Sequence, residues 1–294
     1  MRIKTSKSEK LFNIINIIIM LLMIIITVYP FYYVLICSFS EGSQLMSARG
    51  FILRPLGINF EAYKSVFGNP NIFTGYKMTL IILILGTFIN ITLTSIGAFL
   101  LTRRNFAIKN VLGYMMIFTM YFSGGLIPTY LLVNNTLKLG DTIWALVLPG
   151  AISTYNLIIM RSNFASIPQS LEESAEIDGA NDIVVLFKII LPLSLPIIAV
   201  MVLFYGVAHW NSWFNAMLYM RTRSKYPLQL ILREILLMNE TGNMSGGAAV
   251  GDAYMIGENI KYATIMVATI PILLVYPFIQ KYFVKGIMVG AVKG

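Results

Sequence analysis

Six long apolar runs separate the polar segments of this chain and limit its fold more than any other feature. A helix needs roughly 20 predominantly apolar residues to cross a bilayer, where only helices and closed barrels satisfy their backbone groups. The runs are too long and too rarely alternating for barrel strands. We therefore predict an all-α polytopic membrane protein with six transmembrane helices, near residues 11–39, 78–101, 111–133, 142–160, 195–219 and 262–283.

The amino-acid composition also indicates that the protein lies in a membrane. Of the 294 residues, 57% are apolar and only 12% are charged, which leaves too little polar surface for a soluble globule of this size. No internal repeat or low-complexity tract divides the sequence. The simplest organisation is a single transmembrane domain that occupies residues 1–294.

Basic residues in the short loops predict the orientation in the membrane. Lys and Arg mark cytoplasmic loops, so the amino-terminal segment and the turn with Arg103, Arg104 and Lys109 are expected inside. With six spans, both termini and the loop 162–192 are then expected in the cytoplasm. The membrane is expected to be the plasma membrane. The long loops 40–77 and 220–261 also carry basic residues, but long loops translocate largely regardless of charge. We therefore attribute the net charge of +9 to basic residues that set the orientation in the membrane, and not to a nucleic-acid-binding function.

A charged stretch between the fourth and fifth runs has the pattern of two short helices. Pro168 cannot continue a preceding helix, and Ser170 with Glu173 has the spacing of a capping box. Gly179 suits the left-handed residue that ends such a helix, and Asn181 can cap a second one. We predict a helix-turn-helix elbow whose acidic residues require a partner: Glu172, Glu173, Glu176, Asp178 and Asp182.

Two groups of residues carry a resemblance to a known family. Glu173-Ser174-Ala175, then Gly179, then Ile189-x-Leu191-Pro192 resemble the EAA loop of permease subunits in ATP-binding-cassette (ABC) importers, with Ser174 in place of the commoner Ala. The fifth run and the carboxyl end are similar to carbohydrate importer permeases of the oligosaccharide branch in Gram-positive bacteria. That similarity lies in Trp210-Asn211-Ser212-Trp213-Phe214, in residues 276–286 and in residues 290–294.

The resemblance implies a function and a set of partners. A permease of this kind translocates carbohydrate, here an oligosaccharide, with a second, related permease, a pair of ATPase subunits and an extracellular solute-binding lipoprotein. Its elbow docks on the ATPase and passes movement to the spans. The alternative is that this loop is only a connector exposed to solvent. The coupling residues that the resemblance implies are Glu173, Ser174, Ala175, Asp178, Gly179, Ile189, Leu191 and Pro192.

Candidates for the substrate path are aromatic and polar residues within the spans, because rings stack on sugars and amides exchange hydrogen bonds with hydroxyls. An interfacial aromatic belt explains the aromatic residues equally well, and a lone histidine is more often a packing residue. Gly86, Asn90, Thr94 and Gly97 share one helix face, which favours close helix packing over a polar path. The candidates are Asn90, Tyr205, His209, Trp210 and Asn211.

Missing motifs exclude several functions. The sequence has no phosphate-binding Gly-x4-Gly-Lys-Ser/Thr loop, so ATP hydrolysis is expected on a partner chain. One histidine and one cysteine support neither a metal site nor a nucleophile with its base, so we predict no enzyme, cofactor or metal. Two alternatives stay open: an ABC importer permease for a non-sugar solute, or an ion-coupled secondary transporter. The latter would ordinarily show inverted repeats and ionisable residues at membrane depth.

Overall fold

Helices account for nearly all regular structure in this protein. The structure is a computed structural model that describes residues 6–48, 50–103, 106–244, 259–275 and 277. Within those ranges no strand forms, and a single bridge joins Ser40 and Ile58, so the all-α prediction holds there. The helices are α1 Lys7–Ser38, α2 Gly42–Ser47, α3 Glu61–Gly68, α4 Pro70–Thr102, α5 Lys109–Tyr121, α6 Leu126–Leu131, α7 Trp144–Val147, α8 Thr154–Phe164, α9 Gln169–Ile177, α10 Asp182–Val185, α11 Leu191–Leu193, α12 Leu195–Trp210, α13 Phe214–Tyr219, α14 Leu228–Met244 and α15 Asn259–Val275.

Two of these helices, α1 and α4, are each long and apolar enough to cross a membrane. Two bent pairs also pass the test when each is counted as one span: α5 with Leu126–Thr136, and Asp182–Leu193 with α12. The described residues therefore contain two to four candidate spans, and the prediction of six continuous helices is matched only in part.

Three predicted spans are interrupted. The run 111–133 bends by 116° between α5 and Leu126–Thr136, where Gly125 has a φ of +86°. The adjacent glycines Gly124 and Gly125, followed by Pro128, disfavour regular helix at this point. The prediction of one continuous helix in each of the runs 142–160 and 195–219 is wrong: α7 ends at Val147 before α8 begins, and α12 ends at Trp210 before α13 begins. Hydropathy averaged over each run concealed these breaks, which contain the turn-forming pairs Pro149-Gly150 and Asn211-Ser212.

The predicted sixth span is described only in its first part, as α15, which is apolar but shorter than the other candidates. The similarity in residues 276–286 and 290–294 lies outside the described residues, apart from Pro277. The carboxyl-terminal part of that resemblance is thus carried by sequence alone.

The chain forms two compact units. The first comprises Met1–Asn69 with Glu234–Ile270, and the second comprises Pro70–Arg233 with Pro271–Gly294. In the first unit, Ile36, Cys37 and Ile52 form a small core. Most of α1 from Leu11 to Phe31 is exposed, as expected of a helix that faces lipid. The division into a single transmembrane domain remains a prediction.

The second unit is built around α4, which packs against α8 and α12. One core joins these helices with α10 and the turn that follows it. Its members are Ala98, Phe99, Leu101, Leu157, Met160, Phe164, Val185, Leu186, Ile190, Val200, Met201 and Tyr205. The residues that precede α12 therefore belong to the same packed body as α4.

Asp141 ties two connections of the second unit together. Its carboxylate accepts hydrogen bonds from the Thr222 hydroxyl at 2.7 Å and from the backbone N–H groups of Arg221 and Thr222, and it pairs with Lys225 Nζ at 2.9 Å. The bonds from Thr222, then Arg221 and Lys225, lower the pKa of this carboxyl below its ordinary range. The clamp is therefore fully charged at neutral pH, and it weakens only in strong acid.

Candidate functional site

The segment between α8 and α12 forms a bent pair of helices that we call the elbow, residues 169–193. Its first arm is α9, and Gly179 turns the chain with a φ of +81°. Asn181 caps the second arm, since its side-chain oxygen accepts from the Val184 N–H at 2.9 Å. The second arm, Asp182–Leu193, contains a π-helical turn at Leu186–Ile190 and meets α12 at 85°. The predicted turn at Gly179 and the cap at Asn181 are both confirmed.

The predicted capping box of Ser170 and Glu173 is wrong. The helix α9 begins at Gln169, and Pro168 precedes it with extended backbone and no side-chain cap. A capping residue must itself lie outside the helix so that its oxygen can reach the next N–H groups. Ser170 is already helical and cannot serve. Glu173 consequently has no capping role, and its side chain is exposed.

The elbow has a buried and an exposed face. Val185, Leu186 and Ile190 are buried in the core, and Ala175 and Leu191 pack against it. Of the predicted coupling residues, Ala175, Ile189 and Leu191 are half-buried, whereas the others are exposed: Glu173, Ser174, Asp178, Gly179 and Pro192.

Sequence reasoning missed three apolar residues on the exposed face. Ile177 is 87% exposed, Ile183 is 67% exposed and Phe187 is 54% exposed. Large apolar side chains on both arms of a charged loop are unusual for a solvated connector. The sequence indicates this only for Ile177, which lies between Glu176 and Asp178. Ile183 and Phe187 belong to an apolar run, residues 183–187, whose exposed side the sequence alone does not reveal.

Arg103, directly after α4, holds both arms of the elbow. Its Nη1 donates to Glu172 Oε2 at 2.6 Å and lies 3.7 Å from Glu176, and its Nη2 lies 3.1 Å from Asp182. Three of the acidic residues that were expected to need a partner thus find one within the chain. The sequence indicates Arg103 only as a marker of topology. Its pairing is hidden there because 69 residues separate it from Glu172.

Three of the candidate substrate residues join a hydrogen-bonded network between helices. Asn90 on α4 is fully buried. Its Nδ2 donates to the carbonyls of Gly150 and Ala151, at 2.9 Å each, and its Oδ1 contacts His209 Nε2 at 2.6 Å. Because an amide oxygen only accepts, His209 donates from Nε2. Asn90 thereby satisfies backbone groups in the break between α7 and α8, where no helix can do so.

Tyr205 extends the network toward the same break. Its hydroxyl lies 2.7 Å from Thr94 Oγ1 and accepts from the Ser153 N–H at 3.1 Å. Trp210 is buried with its ring 6.3 Å from that of Tyr76, and Asn211 is exposed just beyond α12. The structure thus places Asn90, Tyr205 and Trp210 inside the protein, and their role in a substrate path stays a prediction.

The glycines of α4 explain how closely its neighbours approach. A Cβ at Gly86 would lie 2.5 Å from His209 Nε2, and one at Gly97 would lie 2.8 Å from Leu157 Cδ1. The packing interpretation of the Gly86, Asn90, Thr94 and Gly97 face is therefore confirmed. In the part of the chain that the structure describes, no cluster of three His, Cys, Asp or Glu residues could hold a metal ion.

Comparison with known proteins identifies the family. Residues 94–289 match the model of the binding-protein-dependent transport system inner membrane component. The chain belongs to this family. It is the permease subunit of an ABC importer, a membrane component and not an enzyme, as the sequence predicted.

Relatives match the permease over nearly its whole length. The polygalacturonan/rhamnogalacturonan transport system permease protein YtcP of Bacillus subtilis is 43% identical over 97% of this chain and 99% of the relative. Protein LplC of the same organism is 41% identical over 98% of this chain and 97% of the relative. Membership places the permease in a membrane, together with a partner permease, an ATPase and a substrate-binding protein.

A solved structure shows the same fold as the permease. It is a bacterial ABC transporter involved in the import of the acidic polysaccharide alginate. The chain compared is 30% identical, with a TM-score of 0.85 over 95% of this permease and 99% of that chain.

Proposed function

We propose that this permease imports an acidic oligosaccharide, one that contains uronate residues, into the cytoplasm. Two similar proteins support the proposal. The name of YtcP specifies polygalacturonan and rhamnogalacturonan, and the structurally similar transporter is involved in the import of alginate. Each of these polymers is rich in sugar carboxylates. The sequence alone did not indicate whether the sugar carries a charge.

The proposed assembly contains this permease, a related but different second permease, two ATPase subunits and an extracellular solute-binding lipoprotein. Both termini and the elbow lie in the cytoplasm. The binding protein presents the sugar at the outer loops, and ATP binding draws the two ATPases together. Because a ligand shifts a conformational equilibrium only by its differential affinity, the closed ATPase pair must favour one arrangement of the spans.

The exposed face of the elbow is the observation that carries this mechanism. Its inner face packs into the core with α4, α8 and α12, so movement of the elbow can reach those helices. Its exposed side chains include the apolar Ile177, Ile183 and Phe187 as well as the carboxylates of Glu173 and Asp178. An apolar centre with a charged rim is the usual composition of a protein interface. We assign this face to the ATPase.

Replacing both exposed isoleucines tests the assignment. We expect Ile177→Asp with Ile183→Asp to lower recovery of the ATPase with the purified permease by at least about tenfold, because central apolar anchors dominate binding energy. Both side chains are solvent-exposed in the chain itself, so its folding should be preserved. Affinity purification of the tagged permease, with quantification of the bound ATPase, measures the effect.

A matched control uses Ile58, which is 76% exposed in the other compact unit. Ile58→Asp should leave ATPase recovery unchanged, since its loop is predicted to lie outside the cell. Full recovery of the ATPase with the double elbow variant would refute docking at this face.

Substrate charge is tested by competition in proteoliposomes that contain the complete transporter and its binding protein. Uptake of a labelled oligogalacturonide should be abolished by excess unlabelled oligogalacturonide. It should be nearly unaffected by the same concentration of a neutral maltooligosaccharide, because a site that binds carboxylates loses those contacts with a neutral sugar. Equal competition by both sugars would contradict the proposed substrate class.

A further inference from the structure

Arg103 occupies a position that the docking face does not explain. The side chain is 15% exposed, its guanidinium lies 4.2 Å from the centre of the Phe99 ring, and its carboxylate partners come from two separate helices. Glu172 and Glu176 lie one turn apart on α9, and Asp182 is the first residue of α10. One guanidinium therefore spans the turn at Gly179.

The geometry suits arginine in particular. Nη1 hydrogen-bonds Glu172 on α9, whereas Nη2 forms only an ion pair with Asp182 at 3.1 Å, without hydrogen-bond geometry. A planar guanidinium keeps a fixed angle between such contacts and stays charged at any physiological pH. A lysine ammonium would supply the charge without the fork. Arg103 thus ties the first arm to the end of α4 by a hydrogen bond and attracts the second arm by charge.

The elbow is joined through the chain to α8 and α12, but α4 lies far from it in sequence. The elbow is linked to α4 by the ion pairs of Arg103 and by the shared apolar core, which holds Phe99 and Leu101 of α4 together with residues of the second arm. Apolar packing opposes separation, yet packed helices slide over one another in shear motions. The 2.6 Å hydrogen bond from Arg103 Nη1 to Glu172 has a preferred direction and opposes sliding. The ion pairs therefore set the register of α4 against the elbow.

We propose that Arg103 is the positioning residue that makes α4 follow the elbow, and that its loss uncouples ATP hydrolysis from transport without releasing the ATPase. This inference rests on the proposed docking function. The helix α4 carries Asn90 and Thr94, which hold the break before α8 and the side chains of α12. Movement of α4 would thus reach the interior of the second unit.

The test measures ATP hydrolysis and sugar uptake in the same proteoliposomes with the complete transporter. For Arg103→Gln we expect normal ATPase recovery and a ratio of sugar imported to ATP hydrolysed that falls about tenfold. Arg103→Lys keeps the charge and the fold, and its ratio should fall less, by about threefold, because it lacks the fork. Arg161→Gln, which removes an exposed cation from α8, is the matched control and should leave the ratio unchanged.

A charge exchange separates positioning from simple stability. Arg103→Glu should lower the ratio further, and adding Glu172→Arg should restore part of it, because the pair is re-formed with its polarity reversed. An unchanged ratio in both Arg103→Gln and Arg103→Lys, with the ATPase bound, would overturn the proposal while leaving docking intact. Loss of the ATPase from both variants would also overturn it, since Arg103 would then serve docking. The docking face itself is tested separately, by ATPase recovery with the variant that combines Ile177→Asp and Ile183→Asp.

Discussion

Replacing Asn90 with leucine is expected to destabilise the permease by about 2 to 4 kcal/mol and to abolish transport. The change removes two hydrogen bonds to the carbonyls of Gly150 and Ala151 and one from His209. Net values of about 0.6 to 1.5 kcal/mol for each bond give this range. The upper half is favoured, because in the described residues no other hydrogen bond reaches these two carbonyls.

Thermal unfolding of the purified permease in detergent or nanodiscs measures this effect. His209→Phe removes one of the three partners and should cost less than Asn90→Leu. In Asn90→Leu alone, the His209 donor is left unpaired beside leucine, and the double variant removes that penalty. The double variant should therefore be destabilised by about 1 kcal/mol less than the sum of the two single variants. A melting temperature unchanged by Asn90→Leu would show that the network contributes nothing to the fold.

The second large effect concerns Gly179 at the turn of the elbow. Its φ of +81° is unfavourable for any residue with a Cβ and worst for a β-branched one, and a Cβ there would meet no atom within 4 Å. The whole effect of Gly179→Val should therefore come from the backbone, as a changed angle between the arms. We expect at least about a tenfold loss of transport, since misplaced interface groups lose their central contacts.

Asparagine at the same position is the matched control. It tolerates left-handed backbone far better than valine, so Gly179→Asn should keep most of the activity. Both variants should melt within about 2 °C of the parent chain, because the turn is exposed and the core does not change. Equal uptake by Gly179→Val and Gly179→Asn would mean that the angle of the elbow does not matter.

Local signals predicted the elbow well where one residue sets the backbone. Gly179 has the left-handed conformation and Asn181 caps α10, since each outcome depends on a few neighbouring atoms. The predicted capping box was wrong because the helix begins at Gln169, next to Pro168, and not two residues later, after Ser170. Choosing between such registers depends on which side chains reach the core. The sequence does not show that directly.

Long-range pairings were beyond local reasoning. The contacts of Arg103 with Glu172 and of Asn90 with His209 join residues 69 and 119 positions apart. Hydropathy predicted where apolar helices occur, yet it did not show the interruptions within 142–160 and 195–219. In both runs a pair of turn-forming residues, Pro149-Gly150 and Asn211-Ser212, interrupts the helix within a stretch whose average hydropathy stays high. The family resemblance named the class of transporter, and the three-dimensional packing revealed which of its residues face inward.

The 85° corner between the second arm of the elbow and α12 has a geometric consequence. With 16 residues at about 1.5 Å each, α12 extends about 24 Å from that corner. If the corner stays stiff, tilting the short arm by about 10° swings the far tip of α12 sideways by about 4 Å. That exceeds the diameter of a water molecule. A small tilt of the second arm would thus carry over to the far end of α12, where Trp210 is buried.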